Sequence, residues 1–280
     1  MDDERDCSVG ASGTRCIKEA FMSDSSYVAA VAAVPGAPCA MGCGAYGDDR
    51  LDGVCRHCFL KLYPDALSRL RVDHLVYVVP GALADACADF EARSGVRPQL
   101  GGRHDGLGTH NALVGLGGGR YLELLCRDPA QPDPPRTWMA IDNISDAPRL
   151  VTWAALRSDL DRAVTAARKA GYDPGTPRRF RRQTPSGSEV RWALSCSHYS
   201  EPLPGDGAVP FLIWWDSDSP AAAAPQGCTL ISLHAETNQP HGLAPMLEAV
   251  GLTAGEFVRT GEATRLVAVL DTPKGRLKLS

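Results

Sequence analysis

The stretch from Val72 to Arg127 constrains the fold of this 280-residue chain more than any other. Apolar residues alternate with other residues at a period of two before Pro80, follow helical spacing from Leu83 to Arg93, and return to a period of two around two glycine-rich breaks. This order of patterns predicts a βαβββ unit. Its first strand is expected at Val72–Val79 and its last at Tyr121–Cys126.

Each of these two strands carries one ionisable residue inside an apolar run. His74 lies in the first strand and Glu123 lies in the last. An unpaired ionisable group in a buried strand costs on the order of several kcal/mol, so each residue needs a partner. Two arrangements are open: a metal ion that both residues bind, or a buried pair of His74 with Glu123 without metal.

The same order of elements recurs further along the chain. A strand at Leu150–Arg157 leads to a helix with Ser158 as its expected N-cap, and that helix ends at Gly171. A strand at Thr229–Ala235 leads to another helix, which ends at Gly251. We therefore predict an α+β fold of two tandem βαβββ modules followed by a third, partial βαββ unit.

Four cysteines lie close together before the first module. Cys39, Cys43, Cys55 and Cys58 follow the spacing C-x3-C-x11-C-x2-C. Thiolates at such spacing converge on Zn²⁺ in a tetrahedron, and a segment with so few apolar residues needs such a metal in order to fold. The pattern predicts a structural zinc ion with four cysteine ligands; the alternative is four unrelated cysteines.

Composition excludes several classes of protein. The formal net charge of −4 gives no strongly basic surface for nucleic acid, and Asp48, Asp49 and Asp52 make the cysteine-rich segment acidic. No apolar run approaches the ~20 residues that span a bilayer. The start MDDERD is acidic overall, whereas a secretory signal needs a basic start. We expect a cytoplasmic protein whose partner is a small-molecule ligand rather than a membrane or nucleic acid.

Three motifs of the first module resemble the glyoxalase-like branch of the vicinal oxygen chelate superfamily: DHLVYVVP, GGRHDGLGTHN and RYLELL. The resemblance implies that two modules form a cup, in which a histidine of a first strand and a glutamate of a last strand hold a divalent metal. It implies that His74 and Glu123 are metal ligands and catalytic residues. Asn111, at a position usually occupied by asparagine, is the third implied catalytic residue. The implied function is a metal-dependent lyase, isomerase or dioxygenase that acts on a small substrate with vicinal oxygens.

The second module lacks an equivalent pair of ligands. Its first strand has Trp153 near the position of His74, and its last strand reads FLIWW where Glu123 would correspond. A second divalent metal, in the cup, would therefore need further donors from the segment GRHDGLGTHN, from a partner chain or from water. Otherwise the cup has lost the metal.

Further residues are candidates for contacts with the substrate. We expect the substrate to be bound by His104, His110, Trp153 and Trp214. Because side chains alternate along a strand, His110 and Asn111 cannot both face the cup, and Asn111 is the expected pocket residue. The arginines of the run RRFRR, residues 178–182, either steer an anionic substrate towards the cup or form a solvated strand edge.

The cysteine-rich segment also resembles a known family, since C-x3-C-G-x-Y-G-x7-C-x2-C-F is similar to the A-twenty-type zinc finger. Members of that family commonly bind ubiquitin through aromatic residues beside the second cysteine, which implies Tyr46 as a ubiquitin contact. Ala45 stands where the family usually has another aromatic residue. A finger that only stiffens the N-terminus is the alternative.

Two functions of the whole chain remain open at this stage. One is a glyoxalase-like enzyme with a structural finger. The other is a non-enzymatic adaptor, whose finger binds ubiquitin or another protein while the cup binds a small ligand or is inactive. In both cases we expect a disordered tail at 1–37, the finger at 38–63, a connector at 64–71, the paired modules at 72–216 and the third unit at 228–280.

Overall fold

The computed structural model describes residues 37–47, 51, 53–62, 66–131, 139, 141–143, 146–184, 186–195 and 202–280. The expected tail at 1–37 lies outside this part of the chain except for its last residue, and so do Asp48, Asp49 and Asp52. No helix in the described ranges is long and apolar enough to cross a bilayer.

Within these residues the chain forms six α-helices and twelve β-strands, numbered in chain order. The helices are α1 (Arg56–Leu62), α2 (Ala66–Leu70), α3 (Leu83–Ser94), α4 (Leu160–Lys169), α5 (Pro240–Ala249) and α6 (Ala254–Phe257). The strands are β1 (Val72–Val78), β2 (Gln99–His104), β3 (Thr109–Gly115), β4 (Tyr121–Arg127), β5 (Arg149–Leu156), β6 (Pro177–Gln183), β7 (Glu189–Ser195), β8 (Phe211–Trp215), β9 (Thr229–Thr237), β10 (Val258–Thr260), β11 (Arg265–Thr272) and β12 (Gly275–Leu279).

Strands β1 to β8 form one sheet in the order β2-β3-β4-β1-β5-β8-β7-β6. The two modules meet at its centre, where β1 pairs in parallel with β4 of its own module and antiparallel with β5 of the next module. A hydrogen bond from Nη1 of Arg182 to the carbonyl oxygen of Gly101 joins the edge strands β2 and β6. The sheet is therefore curled into a nearly closed cup, and the prediction of two tandem βαβββ modules is confirmed.

The outer face of this sheet carries the larger apolar core. Leu75, Leu122 and Leu212 from the sheet pack there with Phe90 of α3 and Ala167 of α4. Each helix buries one stripe of its surface, as the helical spacing of its apolar residues predicts. The helices thus cover the outer face, and the concave face remains to line a cavity.

The ends of these two helices test two expectations. Helix α3 stops at Gly95, whose φ of 81° lies in the left-handed region and whose N–H bonds the carbonyl oxygen of Glu91, as the glycine predicts. Helix α4 is capped by Asp159, whose carboxylate accepts a hydrogen bond from the backbone N–H of Arg162 at 3.0 Å. The expectation of Ser158 as the N-cap was wrong by one residue, because the turn after β5 is one residue longer.

The third unit packs against the outer face of the cup. Its four strands lie in the order β10-β9-β11-β12, with β9 and β10 parallel, and the short strand β10 adds one strand to the predicted βαββ pattern. Phe257 of α6 meets Trp153 of β5 with ring centroids 5.4 Å apart. The four-stranded sheet of the third unit and the helices α3 and α4 therefore share one core behind the cup.

Candidate functional site

The concave face of the cup lines a cavity of about 490 Å³, its open mouth included. The first module contributes mostly polar side chains to the wall, and the second contributes mostly aromatic and aliphatic ones. A volume in this range suits a small molecule rather than a polymer.

Strand β1 brings one polar side chain to the cavity wall, that of His74, and places a second, that of Asp73, directly beside it. Its pairing with β5 skips one residue, since Val72 pairs with Ala155 and His74 pairs with Ala154, so that Asp73 is the extra residue of a β-bulge. Oδ1 of Asp73 lies 2.6 Å from Nδ1 of His74, and its Oδ2 accepts a hydrogen bond of 2.8 Å from Nε1 of Trp215. The carboxylate therefore fixes the imidazole with Nε2 directed into the cavity.

A second imidazole approaches from β2. Nδ1 of His104 lies 2.8 Å from Oγ1 of Thr109, on the adjacent strand β3. Its Nε2 is directed towards Asn111 and Glu123, and Nδ2 of Asn111 lies 3.3 Å from it. Burial lowers the pKa of His104, although the charge of Glu123 opposes the shift. The imidazole is therefore neutral near pH 7.

The carboxylate of Glu123, on β4, lies between the two imidazoles. Its Oε2 is 3.9 Å from Nε2 of His74, and its Oε1 is 3.8 Å from Nε2 of His104. Oε1 also accepts a hydrogen bond of 2.6 Å from Nδ2 of Asn111. We call His74, His104 and Glu123 the polar triad; its three side chains converge as the motifs of the first module predicted for two of them.

Asn111 and Tyr121 complete the polar side of the cavity. Oδ1 of Asn111 is buried without a hydrogen-bond partner within the described residues. The ring of Tyr121 stacks on His74 with centroids 4.6 Å apart. Burial, together with the charges of Asp73 and Glu123, raises the pKa of Tyr121 well above its usual value, so it remains a phenol.

The second module supplies a wall of aromatic rings and one cation. Phe180 and Trp192 stack with centroids 5.8 Å apart, and Trp192 meets Trp215 at 6.0 Å. Arg182 lies two residues beyond Phe180, on the same face of β6, and it too lines the cavity. Burial lowers the pKa of Arg182, while Tyr121 and Glu123 raise it.

Three expected substrate contacts lie outside the cavity, and we correct them here. His110 projects from the other face of β3, where its Nε2 lies 2.9 Å from Sγ of Cys126. Trp153 is fully buried in the outer core and donates a hydrogen bond of 3.0 Å to the carbonyl oxygen of Ala208. Trp214 also faces outwards, and the guanidinium of Arg179 lies 5.5 Å from its ring centroid. Strand alternation places all three on the wrong side of the sheet.

The polar triad fits a divalent ion in its chemistry. Two imidazole nitrogens and a carboxylate suit Zn²⁺, Mn²⁺, Fe²⁺ or Ni²⁺, and the unpartnered Oδ1 of Asn111 is a further oxygen beside them. A search of the described residues for three or more His, Cys, Asp or Glu donor atoms within 4.8 Å of one another finds the four cysteines and not the polar triad. The triad is spread more widely, so its side chains would have to move together to share one ion.

The four cysteines of the N-terminal segment have converged. Sγ of Cys43 lies 3.4 Å from Sγ of Cys55, and the backbone N–H of Cys55 bonds Sγ of Cys39 at 3.2 Å. Cys39, Cys55 and Cys58 are buried and Cys43 is exposed. Burial and the neighbouring thiols raise the pKa of Cys58. This arrangement of four sulfurs fits a tetrahedral metal site.

The structure brings in residues that sequence reasoning missed. They are Asp73, Tyr121, Trp192 and Trp215, together with Arg182, which was considered only as one of a run of arginines. The signal that could have found most of them is strand parity: Tyr121 shares a face with Glu123, and Trp215 shares one with Phe211. Asp73 breaks that parity, and only the bulge explains its position.

Comparisons with known proteins were made for the sequence and for the structure. The sequence model of the glyoxalase-like domain family matches residues 72–251. A comparison with curated proteins finds no match. A hypothetical protein from Staphylococcus aureus is similar in structure, with a TM-score of 0.55 and 11% identity over 75% of this chain and 98% of that protein. At that identity the likeness shows the fold alone.

A second solved structure is a weaker match. Methylmalonyl-CoA epimerase from Mycobacterium tuberculosis gives a TM-score of 0.34 and 18% identity, over 54% of this chain and 91% of the epimerase. A score this low supports no conclusion about the chemistry of the present cavity.

Proposed function

This chain belongs to the glyoxalase-like domain family, and from that premise we propose that its cavity is the active site of a metal-dependent isomerase or lyase acting on a small substrate with two adjacent oxygens. The observation that carries the proposal is the convergence of two imidazole Nε2 atoms on one buried carboxylate. Both imidazoles have Nδ1 engaged elsewhere, by Asp73 and by Thr109. An arrangement held in this way by second partners is typical of catalytic or ligating histidines.

Glu123 is the proposed base. Its carboxylate takes a proton from the carbon beside a substrate carbonyl, and the electron pair of the broken C–H bond moves onto the carbonyl oxygen. In an isomerase the proton returns to the former carbonyl carbon while the proton of the adjacent hydroxyl passes to that carbon's oxygen, so that carbonyl and hydroxyl exchange places. In a lyase the electron pair instead expels a leaving group from the carbon next to the deprotonated one. Asn111 holds the carboxylate through Oε1 and leaves Oε2 for the proton.

The polar triad is also the proposed site for the metal. His74, His104 and Glu123 would hold the ion, with Asn111 beside them. The ion supplies Lewis acidity, which stabilises the negative charge that develops on the two substrate oxygens. Asp73 maintains the orientation of His74, and the aromatic rings of the second module make the opposite wall of the cavity largely apolar.

Metal analysis and hydrogen exchange test this proposal on the full chain. We expect about two equivalents of divalent metal, of which the double variant His74→Ala/Glu123→Gln loses one because the finger keeps its own. In D₂O, nuclear magnetic resonance should show deuterium entering small 2-hydroxy or 2-oxo carbonyl compounds at the carbon beside the carbonyl. His110→Ala, on the outer face, is the matched control and should change neither result.

One pattern of results would exclude the enzyme. A single metal equivalent that survives the double substitution, together with no deuterium incorporation across such a panel, would leave the cup as a ligand pocket or an inactive relic.

For the N-terminal segment we propose a zinc-bound A-twenty-type finger that binds ubiquitin. The supporting observation is Tyr46, which is 76% exposed beside the converged cysteines and belongs to an isolated β-bridge with Pro38. The backbone N–H of Cys39 bonds the carbonyl oxygen of Ala45, so Tyr46 follows a hydrogen-bonded turn. Exposed aromatic side chains are frequent anchors of protein interfaces. This proposal is independent of the chemistry in the cup.

Titration of ¹⁵N-labelled ubiquitin with the full chain tests the finger proposal. We expect chemical-shift changes on one face of ubiquitin, which Tyr46→Ala abolishes. Leu100→Ala is the control, since Leu100 is another exposed apolar residue, 58% exposed, on strand β2. Unchanged spectra at about 1 mM of the chain would show that Tyr46 does not serve this partner.

A further inference from the structure

We propose that the cavity selects a substrate that carries a carboxylate beside an aromatic or other flat apolar group, and that Arg182 binds the carboxylate. This inference names the substrate class for the proposed function and rests on that function for the identity of the site. Four observations carry it: the burial of Arg182, its unused donors, the charges near it and the rings beside it.

Arg182 is a buried cation with donors to spare. It is 7% exposed, and its Nη1 donates to the carbonyl oxygen of Gly101. Within the described part of the chain, its Nε and Nη2 have no hydrogen-bond partner, and neither is among the fully buried unsatisfied atoms, so both keep some accessible surface. Arg182 is one of the residues that line the cavity. A guanidinium presents its donors in a planar fork that matches a carboxylate.

The charges near Arg182 do not satisfy it. Glu123 attracts the guanidinium electrostatically, but no ion pair between the two is formed in the described structure. Glu123 is instead bonded to Asn111 and flanked by the two imidazoles. A buried cation without a paired anion is costly, so an anionic ligand would offset the burial of Arg182.

The aromatic wall begins beside this cation. Phe180 and Trp192 lie nearly parallel, with an interplanar angle of 18°. Trp192 also approaches His104, with ring centroids 6.3 Å apart, so the wall borders the polar triad. A ligand whose carboxylate lies on Arg182 therefore places its apolar part against these rings and near Glu123.

Binding of two matched probes tests the inference without turnover. Phenylacetate carries the carboxylate and ring, lacks vicinal oxygens, and differs from phenylacetamide mainly in charge. We expect the full chain to prefer phenylacetate, measured by tryptophan fluorescence and ligand-observed nuclear magnetic resonance. Arg182→Met should weaken phenylacetate binding about 10- to 100-fold and leave phenylacetamide binding unchanged.

Two further variants separate recognition from structure. Arg181→Met is the matched control, since the Arg181 side chain is 79% exposed on the adjacent position of β6 and should not matter. Arg182→Lys keeps the charge but not the planar fork, and should recover part of the affinity for phenylacetate. If Arg182 only holds β2 to β6, its loss will weaken both probes equally, and that result overturns the inference.

The wild-type chain decides the matter even if Arg182→Met fails to fold. Equal affinity for the two probes, or no binding of either at about 10 mM, overturns the inference. The outcome is separate from that of the proposed function. If the chain exchanges deuterium but does not prefer phenylacetate, the proposed enzyme activity stands and the proposed substrate class is wrong. If the chain binds phenylacetate through Arg182 but exchanges no deuterium, the proposed recognition of a carboxylate stands and the proposed enzyme activity is wrong.

Discussion

Replacing Cys55 with serine is expected to abolish metal binding at the four-cysteine cluster and to unfold the finger, while the cup stays folded. Sγ of Cys55 lies 3.4 Å from that of Cys43 and accepts the backbone N–H of Cys58, so it is at the centre of the site. A structural zinc contributes about 10–16 kcal/mol of apparent binding free energy in small fingers. The apolar contacts of Leu51 and Phe59 in this small cluster cannot replace it.

Metal content and ¹H–¹⁵N spectra check this prediction. One equivalent of zinc should be lost, and the signals that collapse should be those of residues 38–62. Cys228→Ser is the control, because Cys228 is also buried but lies far from the cluster in the core behind the cup. If Cys55→Ser kept its zinc and its finger spectrum, the four sulfurs would have to be unrelated thiols.

Replacing Glu123 with glutamine should lower the rate of deuterium incorporation by about 10²- to 10⁴-fold, the range usual for loss of a general base. Glutamine keeps the shape of the side chain and can still accept the hydrogen bond from Asn111, so the fold should be retained. Removal of the buried charge also weakens the metal site, and metal content should fall by about one equivalent.

The matching control lies on β9, in the four-stranded sheet of the third unit. Glu236→Gln removes a carboxylate that pairs with Arg265 at 2.6 Å, remote from the cavity, and should leave the rate unchanged. A Glu123→Gln variant with full activity and full metal content would assign the proton transfer to another group. Thermal unfolding of both variants should be measured beside the wild-type chain, so that loss of fold is not mistaken for loss of chemistry.

Sequence reasoning named four side chains of the polar half of the site, those of His74, His104, Asn111 and Glu123, but missed Asp73 and Tyr121. His74 and Glu123 stand out as polar residues in apolar strands. Alternation allows only one of His110 and Asn111 to face the cup, and the resemblance to the glyoxalase-like branch selected Asn111. The repeating order of strand, helix and strands likewise predicts the tandem modules. The inferences on His74, Glu123 and the order of elements need only the periods of two residues for a strand and 3.6 residues for a helix, which are visible in short stretches of sequence.

The aromatic half of the site was predicted less well, because neighbouring tryptophans on a strand face opposite sides of the sheet. In FLIWW the cavity residue is Trp215, whereas Trp214 faces outwards. On β5 the residue opposite His74 is Ala154, so Trp153 belongs to the outer core. An error of one position in register moves a side chain to the other face.

Long-range closure of the cup was beyond sequence reasoning. Four of the five residues at 178–182 are arginines, and the sequence does not indicate which of these arginines is buried. Arg182 is buried because β6 closes against β2, eighty-one positions away along the chain at Gly101. No local pattern reports a contact of that separation.

The bulge in β1 has a consequence for how this chemistry can be inherited or transplanted. In a strand without the bulge, Asp73 would face the apolar core behind the sheet, where its carboxylate would be buried without a partner. Because of the extra residue, a carboxylate and the imidazole that it orients come from consecutive residues and lie on the same face of one strand. Transferring the Asp73–His74 pair to another protein thus requires an inserted residue as well as two substitutions. Deleting one residue next to the pair would turn the imidazole away from the cavity.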